Sequence, residues 1–228
     1  RRRGARCNVL LSSPVQSIDQ QVLEHLNLVR VTTSTGQVLD ASRVVVTIPP
    51  VLIANIHFSP ELPRQKRVLY DNFPMGKVIK CLVFYDRPWW RTDNYSGISL
   101  TNNEKYGVRL TYDASLEFPE NTQYALVAFF LGNGAKQWSN RTEEERLQHI
   151  CDYFGHVFNN EREAQRSRVL NYAEMDWCKE PYSQGAYVGH LPPTILTRIG
   201  GEHVIRENVG KVHFAGTETA TYFIGYLE

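Results

Sequence analysis

The stretch PMGKVIKCLVFYDRPWW, residues 74–90, decides how this chain is read. In an extended strand Val78, Lys80, Leu82 and Phe84 fall on one side, and Ile79, Cys81, Val83 and Tyr85 on the other. Lys80 therefore stands in an apolar row. Burial disfavours an ammonium and lowers its pKa, which would give a lysine able to hold or relay protons near neutrality. A stem that snorkels to a strand edge is the structural alternative.

Working outward, QYALVAFFL (123–131) is a second β-rich run and the expected sheet partner of the first. TEEERLQHICDYFGHVF (142–158) reads as a helix. Thr142 and Glu145 form a T-x-x-E capping box, and acidic residues fill the first turn. Leu147, Ile150, Cys151, Phe154, Val157 and Phe158 recur at intervals of three and four, which marks one buried face. Upstream, residues 8–12, 28–33 and 43–50 read as a β-meander, with STGQ (34–37) as its glycine turn. The run Val44 to Ile48 suits a strand covered on both faces and ended by Pro49 and Pro50. SPELPRQKRVLYDNFPMG is a connector with a short helix in its middle. RVLNYAEMDW (168–177) is a strand and PYSQGAY (181–187) a turn. KVHFAG (211–216) is a short strand entering a glycine turn.

Composition sets the outer bounds. The 228 residues are 42% hydrophobic and 21% charged, with a net charge of +1, ordinary for one or two globular domains with real cores. The balance gives no basic stripe for nucleic acid, and RRRGAR (1–6) reads as an irregular terminus. Cys7, Cys81, Cys151 and Cys178 lie far apart without CxxC spacing, so reduced thiols are expected and a zinc site is not. No apolar run approaches the roughly 18 to 20 residues that span a bilayer.

Hydrolytic and nucleotide motifs are missing: there is no GxSxG, HExxH, P-loop or GxGxxG. Gly216 followed by Thr217, Glu218 and Thr219 reads as the start of a helix, whose N–H groups suit a phosphate or an electron-rich ring, or else as an ordinary structural turn. Tyr187 and Tyr226 each follow a small residue, Ala186 and Gly225, where a planar group could approach the backbone; a core role is the alternative.

Five segments taken in order, IPP with IHFSPELP (48–63), PMGKVIKCLVFYDRPWW (74–90), WCKEPYSQGAY (177–187), LPPTILT (191–197) and HFAGTETATYFIGYLE (213–228), resemble the flavin-dependent monoamine oxidase family. The resemblance runs from about Asn8 to the last residue and implies an α+β or α/β fold. A Rossmann-like FAD-binding portion of the glutathione-reductase type is interleaved with a substrate domain of mixed sheet plus helices, incomplete in this chain. Residues 1–69 and 180–228 are implied to lie on the FAD side and residues 70–179 on the substrate side. The GxGxxG unit of such enzymes precedes anything present here, so the chain is expected to be a C-terminal fragment, inactive alone.

The same resemblance carries roles onto matching positions. Lys80 falls on a lysine that holds a water at the flavin, and Tyr187 and Tyr226 fall on an aromatic cage that steers the amine. Trp177 packs near the flavin ring. Gly216, Thr217, Gly225 and Tyr226 line the flavin, and Val15 lies by its adenosine end. Leu110 and Phe130 line the substrate cavity. FAD is expected to be non-covalent, because Ala186 replaces the cysteine that carries the flavin in animal members. The implied reaction converts primary or secondary amines to imines and aldehydes, using dioxygen and releasing hydrogen peroxide. The intact protein would be an intracellular homodimer at the mitochondrial outer membrane, with any anchor after Glu228. Rival readings are a polyamine or L-amino-acid oxidase of the same fold and a catalytically silent truncated interaction module.

Overall fold

The computed structural model describes residues 7–103, 105–118, 121–223 and 225. The strands run β1 (Val15–Asp19), β2 (Val29–Thr33), β3 (Val38–Ala41), β4 (Val44–Val46), β5 (His57–Ser59) and β6 (Val78–Tyr85). They continue with β7 (Ser99–Leu100), β8 (Val108–Asp113), β9 (Leu116–Phe118), β10 (Asn121–Leu131), β11 (Asn171–Asp176) and β12 (Val212–Phe214). Mixed sheets and helices make this an α+β chain. It forms two compact units, one made of the residues up to Pro74 together with those from Gly189 onward, the other of Met75–Val188. Residues 70–74 therefore pack with the first unit and 180–188 with the second.

In the first unit a four-stranded sheet has the order β3-β2-β1-β5, with β1, β2 and β3 antiparallel and β5 parallel to β1. The meander is real but begins later than the apolar pattern of residues 8–12 suggests. Those residues form no strand, and Val9 and Leu11 are exposed. Strand β4 also leaves the meander and pairs in parallel with β12. Its burial is one-sided: Val46 is buried while Val45 is 59% exposed, so the run Val44 to Ile48 is not covered on both faces within its unit. Pro49 ends the strand, and Pro50 opens the short helix Pro50–Ile53, where its missing N–H costs nothing.

The expected connector helix is Arg64–Asp71. It packs Leu69 and Tyr70 into a core with Ile18, Val29, Phe58, Ile195 and Phe214. It also buries a lysine. Lys66 is 1% exposed, and its Nζ donates to Tyr70 Oη (3.3 Å) and to Ile205 O (3.1 Å) and stands 3.9 Å from the centroid of the Phe214 ring.

The second unit is built on a sheet of order β11-β6-β10-β8-β7, with β9 paired to β10. One face carries Ile79, Cys81, Val83, Tyr85, Ala128 and Phe130 and packs against Leu147, Ile150, Cys151 and Phe154 of the helix Glu143–Val157. The capping box forms as the sequence implies, with Thr142 accepting from Glu145 N and Glu145 accepting from Thr142 N. Burial pushes the Cys81 thiol up to about 12 and the Cys151 thiol up to about 11, so both behave as small hydrophobes. The strand expected over 168–177 is shorter, because Arg166–Arg168 form a 3-10 turn before β11 starts at Asn171.

Burial holds Lys66 down at about 8, against 10.5 for a free lysine. Between those values the unfolded chain binds the extra proton, so this side chain's contribution makes the fold more stable as pH rises from about 8 to about 10.5. Denaturant unfolding across that window should show the wild-type chain gaining stability relative to Lys66→Met; a difference independent of pH would contradict it.

Candidate active site

The register of the five-strand path assembles a row of side chains on the sheet face opposite the helix Glu143–Val157. Met175 pairs with Lys80, Lys80 with Phe129, Phe129 with Leu110, and Leu110 with Leu100. Directly opposed residues share a face, so these five form a continuous transverse row. Val78, Leu82, Val127, Tyr112 and Leu131 flank it with Trp177 and Ala186 in one apolar cluster. Trp177 is held beside the row because its N–H donates to Val78 O (3.1 Å).

Lys80 is half-buried, with Nζ 5.9 Å from the centroid of the Phe129 ring. Phe129 is the hub of the face. Its ring lies 5.7 Å from that of Tyr112 and 6.4 Å from that of Tyr187, both tilted. Tyr187 follows a cis Ala186–Tyr187 peptide and remains 63% exposed.

Phe130 requires a correction. It projects from the opposite face, fully buried, 5.4 Å from Trp138 and 6.3 Å from His149. Adjacent strand residues point to opposite sides, and the pairing register places Phe129, not Phe130, with Lys80. The aromatic that sequence reasoning missed was thus the immediate neighbour of the one it named. The Phe-Phe pair carries no internal sign of which ring faces which way. Leu110 does lie in the Lys80 row.

The remaining named residues belong to the first unit. Strand β12 ends at Phe214, and the N–H of the next residue, Ala215, donates to Val46 O (3.0 Å). Gly216 then takes φ +136°, which side-chain-bearing residues rarely adopt, and Thr217–Thr219 form one 3-10 turn. The expected helix start is therefore a short turn, without a helix's aligned amides. The turn is pinned by Thr219 Oγ1 donating to Gly216 O (2.8 Å), by Arg206 Nε donating to Thr219 O (2.8 Å), and by Glu218 Oε1 accepting from Gly189 N (2.8 Å). Val15 opens β1 at a register shift and is partly exposed. Gly225 has φ +112°, whereas Tyr226 lies outside the described residues.

Within the first unit, Gly216 and Gly225 leave their backbones open to a flat group. Among the described residues, a Cβ built on Gly216 meets only Thr47 O, at 3.7 Å, and one on Gly225 meets nothing within 4 Å. In the other unit, Trp177 is partly buried and Tyr187 is largely exposed. Among the described residues no cluster of His, Cys, Asp or Glu could hold a metal ion, and no helix is long and apolar enough to cross a membrane.

The family model for flavin containing amine oxidoreductase matches residues 3–228. This chain belongs to that family. Flavin-containing amine oxidase B of Sus scrofa is 39% identical over 220 residues, and that of Homo sapiens 37%; each alignment covers 96% of this chain and 40% of the relative. Among solved structures, putrescine oxidase bound to putrescine superposes with a TM-score of 0.83 at 27% identity, covering 96% of this chain and 45% of that one. Cyclohexylamine oxidase from Brevibacterium oxydans IH-35A gives 0.82 at 29%, covering 95% and 45%. The amine oxidoreductase chain described here thus spans about two-fifths of the length of the curated relatives it matches.

Partial burial, and next the nearby Tyr112, hold the Tyr187 phenol above its ordinary value of 10.0. The ring therefore stays neutral through the physiological range. In a spectrophotometric alkaline titration, the phenolate signal lost in Tyr187→Phe should have its midpoint above 10.0; a midpoint at or below that value would contradict this environment.

Proposed function

We propose that the protein carrying this chain is an FAD-dependent oxidase of primary or secondary amines, and that the face bearing Lys80, Phe129, Trp177 and Tyr187 is its share of the catalytic cavity. The observation that carries this reading is the transverse row Met175-Lys80-Phe129-Leu110-Leu100, in which a single ammonium stands in an apolar aromatic wall. When bound, FAD would supply the redox chemistry, accepting the substrate Cα hydrogen and passing electrons to dioxygen with release of hydrogen peroxide. Gly216, Thr217, Gly225 and Tyr226 would line the flavin, with Val15 toward its adenosine end. Trp177 would pack beside the ring.

The chain's own groups have limited and separable tasks. Lys80 Nζ has three donors and can hold a water molecule at the reacting edge while Phe129 covers its flank. Tyr187 offers a largely exposed, neutral phenol ring, whose negative face attracts the electron-poor end of an amine. Tyr187 acts by orientation, since a phenol held above its ordinary pKa is a poor acid at neutral pH. Leu110, Phe129 and Tyr112 exclude water and supply apolar contact for the amine's carbon body.

The same wall bears on the substrate class. A carboxylate-bearing amino acid needs a cationic partner such as arginine, and a polyamine needs a carboxylate for its second charge. The row holds no arginine and no carboxylate, and its one cation is the Lys80 assigned above to a water, which favours an amine with one charge and an apolar body. By extension of the resemblance, the intact protein is a homodimer of the mitochondrial outer membrane. A substrate panel scored by peroxide release tests the activity: monoamines should be turned over faster than diamines and amino acids, and a silent panel would sink the reading.

Two further outcomes are specific. Lys80→Met removes a charged hydrogen-bond donor worth about 1.5–3 kcal/mol, and should slow flavin reduction or reoxidation by about tenfold or more in stopped-flow experiments. Unchanged rates in both half-reactions would remove Lys80 from the site. The flavin should also be held without a covalent bond at Ala186, so acid precipitation should leave a colourless pellet and a yellow supernatant. A pellet that stays yellow would contradict it.

A further inference from the structure

Residues 184–188, which carry Tyr187, form neither strand nor helix, yet they are tied at three points to the two residues that precede β6. Lys77 Nζ donates to Gln184 O (3.1 Å), Ala186 N donates to Gly76 O (2.9 Å), and Gly76 N donates to Val188 O (3.1 Å). The two segments cross at glycines. A Cβ on Gly76 would stand 2.3 Å from Ala186 O, and a Cβ on Gly185 would stand 2.2 Å from Gly76 O and 2.6 Å from the Met75 Cβ. The obstructing atoms are mostly main chain and cannot rotate aside as a side chain could, so any larger residue must push the segments apart.

We propose that the Gly76–Gly185 crossing is the device that positions the Tyr187 ring over the Lys80 face. The claim rests on the amine oxidase reading for its function and on the unit's own geometry for its mechanism. The stretch Gly76–Lys80 does three things in five residues: it clasps the Tyr187 segment, receives Trp177 N at Val78 O, and ends in Lys80 itself. Spreading the crossing displaces Tyr187 relative to Phe129, while Lys80 stays registered by β10 and β11. Gly76 and Gly185 are thus positioning residues that touch no reacting atom. Gly185, at φ +150°, combines steric need with a backbone strain of its own. Gly76 has no positive φ, so alanine there meets a purely steric obstacle and is the cleaner probe.

The test places Gly76→Ala and Lys77→Met in the full protein, each in the parent and in a Tyr187→Ala background. A ring moved by about an ångström can cost up to a hundredfold. In the parent, Gly76→Ala should therefore lower kcat/KM for amines by about tenfold or more, and Lys77→Met should lower it less. In the Tyr187→Ala background either change should have less than about a twofold further effect, the signature of action through that residue. A second readout needs no turnover: 3-fluorotyrosine at position 187 should show a shifted fluorine resonance in Gly76→Ala and a smaller shift in Lys77→Met. An unmoved resonance, or an equal loss in both backgrounds, overturns the proposal. Should Gly76→Ala not fold, an unmoved resonance with unchanged kcat/KM in Lys77→Met overturns it alone. If the parent turned over no amine, the failure would fall on the oxidase reading, and the fluorine measurement would still decide the crossing.

Discussion

The pairing of Phe129 with Lys80 across β10 and β6 is the constraint on which the rest of the second unit depends. Side chains alternate with a period of two, so a slip of one residue would send Lys80's neighbours into the core and turn the core outward. What prevents the slip is the opposite face. Ile79, Cys81, Val83, Leu126, Ala128 and Phe130 are buried against the helix Glu143–Val157, and at roughly 25 cal/mol per Å² of apolar surface none can be exchanged for Lys80 without large loss. The Lys80 face is thus held in register by the buried face behind it.

The edge strand β11 is anchored by a different force. Arg146, on the helix, is paired with Glu174 on β11, and both side chains are almost wholly buried. Arg146 also donates to Trp138 O, and Tyr172 Oη donates to Glu174 Oε2 at 2.6 Å. A buried pair of this kind adds little net stability over an apolar one, but losing one member strands a charge, so it specifies which strand lies against which helix. The consequence reaches the site, because Met175 and Trp177 alternate with Glu174 and Asp176 and so fall on the Lys80 side.

The first unit uses glycine and proline where the second uses register. Gly216 ends β12 in a conformation that frees its backbone, and Arg206 with Glu218 holds the turn that follows. The lysine buried in this unit is Lys66, seated over the Phe214 ring and satisfied by a phenol and a carbonyl. The two lysines differ in burial: Lys66 is sealed in the core against its own helix, and Lys80 is half-buried on an open sheet face.

Much was legible in the residues alone. Period two identified β6 and its two faces, the capping box and the spacing of three and four identified the helix Glu143–Val157, and the ordered motifs identified the family, because these signals are local or additive along the chain. The choice between Phe129 and Phe130 was not legible, since alternation says that they differ in face but only the strand partner says which is which. The exposure of Val45 and the departure of β4 from the meander were hidden for a similar reason: an apolar run records what a strand can bury, not what covers it. The clasp of Gly76 on Gly185 joins residues more than a hundred positions apart, and it became visible only when folding brought two main chains into contact where no side chain fits.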